Sequence, residues 1–416
     1  MEKDTYTAKL RLMGISYACI LTAQLFSVVA YSLVPSLKSI LLDRVGATST
    51  QIAVIGTTLP QIFAFFLMPV IGIWSDRLRC RWGRRRPFLY ASLPFVVLSV
   101  IGIGWYDRIA PGAGLPALAF CILAFHLFAL IPEGVLYYLI ADVIPQKMMG
   151  RFYGVNAAFS AGFAAAFSYF FLGYSLEHRQ TAVLLFSGLL AAAFLILLPF
   201  VKEKDTYTNA SAPAPIWSKE SRSILTETFA SRLFVCTFLC GGINQASTLL
   251  RMMFTLLFTT KELGMSADAV GRIGGLSGAF SAAVMMLCGV LIDKFRPLRI
   301  YLIGSVCVIL VSLGGFFFIT SEKTYLIFAF LTTTAYAIQG IAYAPLLMRI
   351  FPLERYGQFY SVNTMVTLLI LAVASAVGGR MTDLFGYRVI FLWDFAFTCL
   401  ATLILIFGCR GVHERL

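Results

Sequence analysis

Twelve long apolar stretches dominate this chain of 416 residues. They lie near 15–41, 49–74, 88–106, 115–141, 152–174, 181–201, 229–258, 268–292, 299–319, 324–348, 359–380 and 390–409. An α-helix of about 20 apolar residues crosses the hydrocarbon core of a bilayer, whereas a barrel strand has about 10 residues and alternates in polarity. The sequence therefore predicts an all-α polytopic membrane protein with twelve transmembrane helices in two six-helix bundles.

The loop between the second and third stretches fixes the expected orientation. Six arginines fall between residues 77 and 86. Short loops rich in Lys and Arg stay in the cytoplasm. We therefore expect a multi-pass protein of the cell or inner membrane with both termini cytoplasmic. The net charge of +13 then reflects membrane topology, so the bilayer is the expected surrounding and nucleic acid is not an expected partner.

The two halves of the chain repeat each other. The segment 142–156 recurs at 349–363, with six residue types matched at a constant offset of 207, namely those of Pro145, Gly150, Phe152, Tyr153, Val155 and Asn156. Gly72 and Asp76 recur as Gly289 and Asp293. This parallel duplication predicts an N-terminal bundle at 1–201, a polar cytoplasmic linker at 202–227 and a C-terminal bundle at 228–416.

These features together resemble the major facilitator superfamily. The longer loop motif at 75–88 and the segment at 141–151 are similar to those of glycoside–pentoside–hexuronide cation symporters and plant-type sucrose transporters. The resemblance implies alternating access between the two bundles, with a latch on the cytoplasmic side. It assigns that gate to Gly72, Asp76, Arg77, Gly83, Arg84, Asp142, Arg151, Asp293 and Lys294.

Polar residues on helices 1, 4, 7 and 10 are the candidates for solute binding, because the resemblance places these helices around the central cavity. Polar side chains within spans are costly and normally face the bundle interior. Their amides and tyrosines suit a neutral polyhydroxylated solute. The predicted solute-binding residues are Gln24, Tyr31, His126, Tyr137, Asn244, Gln245, Arg251, Tyr336, Gln339 and Tyr343.

Glu133 is the predicted proton-coupling group, with His126 as its partner. It is a carboxylate well inside the fourth span and follows Pro132, which weakens the local helix ladder. Arg251 is interpreted as the one basic residue deep in a span, where it either orients a ligand or compensates Glu133. Asp394 is expected to pair with Arg388 or Arg380.

The coupling ion is expected to be a proton rather than sodium. The resemblance implies acidic residues in helix 2 for sodium-coupled sugar symporters, and residues 51–74 contain none.

The sequence lacks a P-loop, zinc-spaced His or Cys residues and a Gly-x-Ser-x-Gly motif. We therefore expect that the protein is not an enzyme and that it has neither a cofactor nor a metal site. We expect a monomer that carries a glycoside or disaccharide as a small-molecule substrate, with a proton or by facilitated diffusion. Two alternatives remain open: a carrier or exporter of another organic solute (an organic anion, a peptide or an amphipathic compound), and a non-transporting receptor on a transporter fold.

Overall fold

The computed structural model describes residues 2–77, 83, 85–144, 146–197, 199, 201, 229, 231–294, 296–351 and 356–409. Within these ranges, side chains are not described at 2–13, 16, 73, 76–77, 141–143, 146–151, 153–154, 197, 286–294 and 356–358. The predicted linker at 202–227 lies outside the described residues.

The described chain forms long helices, which we number α1 to α12. They are α1 (Glu2–Val28, Val29–Leu33 and Val34–Arg44), α2 (Ser49–Ala53, Val54–Thr58 and Leu59–Arg77), α3 (Arg86–Ile109), α4 (Gly114–Val143), α5 (Gln146–Ala166, Phe167–Phe171 and Leu172–Glu177), α6 (Arg179–Ala192 and Ala193–Leu197), α7 (Arg232–Leu257 and Phe258–Glu262), α8 (Ala267–Lys294), α9 (Pro297–Phe318), α10 (Glu322–Ile350), α11 (Tyr356–Phe385) and α12 (Val389–Gly408). Each overlaps one predicted span.

Eleven of these helices are long and apolar enough to cross a membrane, judged over the described residues. The remaining one is α8, which matches the expected span at 268–292 but whose later side chains fall outside the described set. The predicted all-α membrane architecture is confirmed.

Several helices contain a widened π-helical turn shortly before a proline. Val29–Leu33 precedes Pro35, Val54–Thr58 precedes Pro60, and Ala193–Leu197 precedes Pro199. Proline has no backbone N–H and its ring clashes with the carbonyl four residues earlier. A π turn opens the ladder at that carbonyl, which in α1 belongs to Tyr31. Single π turns of this kind occur often at functional sites.

The backbone divides into two compact units. The first comprises Met1–Val45 and Phe66–Ala214, and the second comprises Gly46–Phe65 and Pro215–Leu416. The first part of α2, residues 49–65, therefore groups with α11. At their contact, a Cβ added at Gly379 would lie only 2.9 Å from the Thr50 Cα.

The helices approach each other most closely at small residues. This is expected in a membrane, because helices surrounded by lipid associate through close packing and not through the hydrophobic effect. In the second unit a Cβ at Gly304 of α9 would come within 2.6 Å of the Gln339 backbone nitrogen of α10. Glycine is thus required there by contact with backbone.

Candidate functional site

A cavity in the first unit lies among α1, α4 and α5. It encloses about 430 Å³, part of which is open solvent. Its lining mixes amides, hydroxyls, one carboxylate and apolar side chains: Ala23, Gln24, Phe26, Ser27, Tyr31, Pro132, Glu133, Leu136, Tyr137, Ile140, Asn156 and Ser160.

An amide pair forms one wall of this cavity. Gln24 Nε2 donates to Asn156 Oδ1 at 2.8 Å and to the Asn156 carbonyl oxygen at 3.2 Å. Gln24 is only 2% exposed, and its Oε1 has no hydrogen-bond partner among the described residues. A buried acceptor without a partner is costly. This oxygen is enclosed in the wall, so a solute hydroxyl could donate to it only after neighbouring side chains moved.

A tyrosine–carboxylate pair forms another part of the cavity wall. Tyr31 Oη of α1 donates to Glu133 Oε1 of α4 at 2.5 Å. Within the described residues, this tyrosine is the hydrogen-bond partner of Glu133. The structure thus brings the two helix faces together as predicted, and it gives Glu133 a hydroxyl partner.

His126 does not line the cavity. Its Nε2 lies 3.4 Å from Nζ of Lys38 on α1. The interpretation that Arg251 is the one basic residue deep in a span is therefore wrong, since Lys38 is part of the apolar span Tyr17–Arg44. Lys38 follows Tyr31 by seven residues, so the stripe of Gln24 and Tyr31 could have been extended to it.

A second amide pair lies in the second unit. Gln339 Nε2 of α10 donates to Asn244 Oδ1 of α7 and to Ser305 Oγ of α9, both at 2.9 Å. Gln339 is 2% exposed. The predicted stripes on α7 and α10 thus meet in a network that ties three helices.

Arg251 forms an ion pair with Asp394 of α12. Its Nε donates to Asp394 Oδ2 at 2.8 Å, and its Nη2 also contacts that oxygen. Tyr336 Oη and Ser312 Oγ donate to the same carboxylate. The expected pairing of Asp394 with Arg388 or Arg380 is wrong, because Arg388 donates to the backbone carbonyls of Phe316 and Ile319, at 3.1 and 2.6 Å, instead.

The other predicted solute-binding residues occupy different surroundings. Tyr137 is exposed and lines the cavity of the first unit. Gln245 is exposed on α7. Tyr343 packs against Tyr301, with ring centroids 5.9 Å apart, and its Oη lies close to Gly241, where a Cβ would have no room.

Most of the predicted cytoplasmic gate cannot be placed. Asp76, Arg77, Arg84, Asp142, Arg151, Asp293 and Lys294 lie outside the residues whose side chains are described. Gly72 faces Tyr138, whose Oη would lie 3.7 Å from an added Cβ. Gly83 has a φ of +99°, which favours glycine in that loop. Its neighbour Arg85 is buried, with its guanidinium 5.0 Å from the Tyr138 ring centroid.

Sequence reasoning missed Asn156 and Ser160 as cavity residues. Asn156 was visible as one of the polar residues retained in both copies of the repeat. An amide side chain within a membrane span is expected to face the bundle interior and to find a hydrogen-bond partner there. Ser160 carried no such signal, because a serine in a helix can satisfy itself by bonding to a preceding carbonyl.

The chain matches the family model described as Major Facilitator Superfamily over residues 20–368. An uncharacterized MFS-type transporter of Methanocaldococcus jannaschii is 24% identical over 363 residues, with 83% of this chain and 85% of that protein covered. A sucrose transport protein of rice (Oryza sativa subsp. indica) is 41% identical over 44 residues, which are 11% of this chain and 7% of that protein.

Two solved structures share the fold. A D-xylose–proton symporter superposes with a TM-score of 0.70 at 16% identity, covering 95% of this chain and 97% of that one. A nucleoside transporter superposes with a TM-score of 0.71 at 12% identity, covering 96% and 99%. With the apolar helices described above, these matches identify an integral multi-pass membrane transporter rather than an enzyme: the chain belongs to the Major Facilitator Superfamily.

Proposed function

We propose that this transporter carries a neutral polyhydroxylated solute, a glycoside or a disaccharide, by alternating access, and that a proton on Glu133 drives it. The observation that carries the proposal is the cavity of the first unit, whose lining includes both the Gln24–Asn156 amide pair and the Tyr31–Glu133 hydrogen bond.

The composition of the cavity wall supports a sugar-like solute. Gln24 and Asn156 offer amides, and Ser27 and Ser160 offer hydroxyls. These groups donate and accept hydrogen bonds, as sugar hydroxyls do. The exposed ring of Tyr137 offers an aromatic face for the apolar side of a sugar ring. Relatives named for sucrose and D-xylose transport agree with this class.

The same wall argues against an organic anion. Its lining includes one carboxylate and no cationic side chain among the described residues. Arg251, the cation that an anion carrier would need at the predicted site, is engaged by Asp394 in the second unit. Similarity of fold to a nucleoside transporter does not identify the substrate, because proteins with the same fold transport many different solutes.

Glu133 suits the role of proton carrier. A carboxylate inside a membrane span is expensive when charged, so binding a proton lowers that cost. Tyr31 can donate to the ionised carboxylate and can accept from the protonated one. Proton binding can thus occur without disrupting the pair.

The wider organisation remains part of the proposal. We take residues 1–201 and 228–416 as the two bundles, joined by a cytoplasmic linker at 202–227, with both termini in the cytoplasm. The gate residues predicted from the loop motif would then close the cytoplasmic side in a monomeric carrier.

The test uses purified protein in liposomes with sodium-free buffer. Sucrose, maltose, cellobiose and a methyl glucoside are added in turn, and the current on a solid-supported membrane is recorded between about pH 6 and 8, the window around a neutral working pH. We expect a saturable current that requires an inward proton gradient. Glu133→Gln is expected to abolish this current while it leaves sugar exchange between the two sides intact.

The matched control is Glu322→Gln, which alters an exposed carboxylate at the start of α10. It should behave as the wild type. Proton-driven accumulation that persists in Glu133→Gln would remove Glu133 from the mechanism. A wild-type protein that moves none of the four sugars would overturn the proposed substrate class.

A further inference from the structure

Two polar pairs connect α1 and α4 at a regular spacing. Tyr31 and Lys38 are seven residues apart on α1, and His126 and Glu133 are seven apart on α4. Tyr31 pairs with Glu133 and Lys38 pairs with His126, so the helices run antiparallel at this contact. Seven residues correspond to about 10 Å along a helix. The contacts thus form a ladder with two rungs, which we call the acidic rung (Tyr31–Glu133) and the basic rung (Lys38–His126).

The basic rung holds one positive charge between two nitrogens. An ammonium has three N–H donors and no acceptor, so a protonated Lys38 requires His126 Nε2 to be the acceptor of a neutral imidazole. If His126 carries the proton instead, Lys38 must be the neutral amine. Two cations 3.4 Å apart inside a span would repel strongly. The pair therefore binds one proton that can reside on either member.

The basic rung is separated from the solute cavity. Tyr31 and Glu133 line that cavity, whereas neither Lys38 nor His126 does. The acidic rung thus lies between the cavity and the basic rung. A solute bound beside Gln24 would meet Glu133 before it could approach His126.

The helices packed against this end of α1 carry other titratable groups. They are Tyr106, Asp107 and Arg108 on α3, Cys121 and Glu133 on α4, Tyr174 and Glu177 on α5, and Arg179 on α6, while Asp43 and Arg44 follow on α1 itself. Asp107 is engaged in an ion pair with Arg179. Lys38 and His126 each lie seven residues from the acidic rung, on the same two helices.

We propose that Lys38 and His126 form a proton-holding pair that loads Glu133 from the side opposite the solute cavity. This inference rests on the proposed proton-linked function. The N–H bond of the protonated pair breaks, and its proton moves by way of water and the Tyr31 hydroxyl, which passes its own proton to the Glu133 carboxylate. The pair becomes neutral and Glu133 becomes a neutral acid. A proton from the aqueous phase then restores the pair. In this proposal His126 holds a proton and does not bind the solute.

Arginine in place of Lys38 distinguishes this role from simple charge balance. A guanidinium keeps its positive charge and does not release its proton in proteins. Beside it His126 stays neutral, so the pair cannot pass a proton. A structural cation would be replaced well by arginine, but a proton-holding pair would not.

The experiment compares the wild type, Lys38→Arg and His126→Gln in sodium-free liposomes. Three quantities are measured with sucrose, maltose and cellobiose: sugar exchange without a gradient, sugar accumulation under an inward proton gradient, and proton entry reported by a trapped pH dye. Ser36→Ala is the matched control, because among the described residues the Ser36 hydroxyl on the same helix bonds to the Ser32 carbonyl oxygen alone. We expect both rung variants to exchange sugar within about twofold of the wild type, while their accumulation ratio falls to one and sugar-dependent proton entry is lost.

Full accumulation in Lys38→Arg would overturn the inference and leave the proposed function standing, since Glu133 would then be loaded without the pair. Loss of exchange together with accumulation in His126→Gln would return His126 to the solute site and also overturn it. A wild type that exchanges sugar without moving protons would overturn both the proton-linked function and this inference.

Discussion

Arg251 of α7 and Asp394 of α12 form an ion pair inside the second unit, with the Asp394 side chain completely buried. Tyr336 of α10 and Ser312 of α9 donate to the same carboxylate. Four helices therefore meet on one charged group. Because the carboxylate is buried, it is stabilised by hydrogen bonds from protein side chains, which among the described residues are these three.

Removal of the arginine alone should destabilise the protein strongly. Arg251→Gln leaves Asp394 buried and without its cation, a change that costs about 3–5 kcal/mol. We expect a lower midpoint of thermal unfolding in detergent, followed by intrinsic fluorescence. The double variant Arg251→Gln with Asp394→Asn should recover much of the loss, because it removes both charges.

Asp107→Asn is the comparison for this prediction. Asp107 pairs with Arg179, but its side chain is 45% exposed. Exposed ion pairs contribute about 0–1 kcal/mol. Equal losses of stability in Arg251→Gln and Asp107→Asn would show that burial of the first pair does not matter.

The Arg251–Asp394 pair also shows where sequence reasoning ends. Helical spacing correctly put Arg251 on a polar face, but spacing within one helix does not reveal which other helices lie beside it. The sequence predicts that Asp394 pairs with an arginine nearby in the chain, whereas its partner is 143 residues away. The same limit hid the contact between Lys38 and His126, which are 88 residues apart.

The fold itself was predictable because membrane spans are defined by length and hydropathy. The expected spans at 88–106 and 390–409 became Arg86–Ile109 and Val389–Gly408. The π turn at Val29–Leu33 was not anticipated, although Pro35 marks its place. Gln24 and Gln339 were correctly predicted to face the interior, and each found an asparagine partner on another helix.

Two helical glycines should respond oppositely to alanine. A Cβ at Gly304 would meet the Gln339 backbone at 2.6 Å, so α9 and α10 must separate. Such overpacking costs about 1–3 kcal/mol. Gly188 on α6 has nothing within 4 Å of its added Cβ, and alanine is the better helix former by about 1 kcal/mol.

Thermal unfolding in detergent therefore should rank Gly188→Ala at or above the wild type and Gly304→Ala below it. A Gly304→Ala protein as stable as the wild type would mean that these helices are not in contact through backbone at this point.

A disulfide between α2 and α11 should arrest transport. The hydroxyl oxygens of Thr58 and Ser375 are 2.7 Å apart in the second unit. Sulfur atoms at these positions are close enough to form a bond of about 2.05 Å. Thr58 belongs to the proposed bundle 1–201 and Ser375 to the proposed bundle 228–416, so this contact must part when the two bundles rock against each other. The oxidised double cysteine variant should therefore lose sugar exchange.

Addition of dithiothreitol should restore exchange in that variant. The single variants Thr58→Cys and Ser375→Cys, treated with the same oxidant, control for the native cysteines. Undiminished exchange in a variant whose cross-link is confirmed by mass spectrometry would show that α2 and α11 stay together throughout the cycle.

Loss of the Gln24 amide should weaken sugar binding more than it weakens folding. Gln24→Met keeps the length of the side chain but removes the amide that lines the cavity and its hydrogen bond to Asn156. One lost hydrogen bond to solute, about 0.5–1.5 kcal/mol, corresponds to a dissociation constant up to about tenfold higher. Gln339→Met removes a comparable amide pair in the second unit and is the matched control. Isothermal titration with sucrose, maltose and cellobiose would measure the difference.

Because Gln24 and Asn156 contact each other, Asn156→Ala combined with Gln24→Met should weaken binding by less than the sum of the single effects. Equal weakening by Gln24→Met and Gln339→Met would instead mean that the two amide pairs contact the solute alike, and the cavity of the first unit would not be the whole binding site.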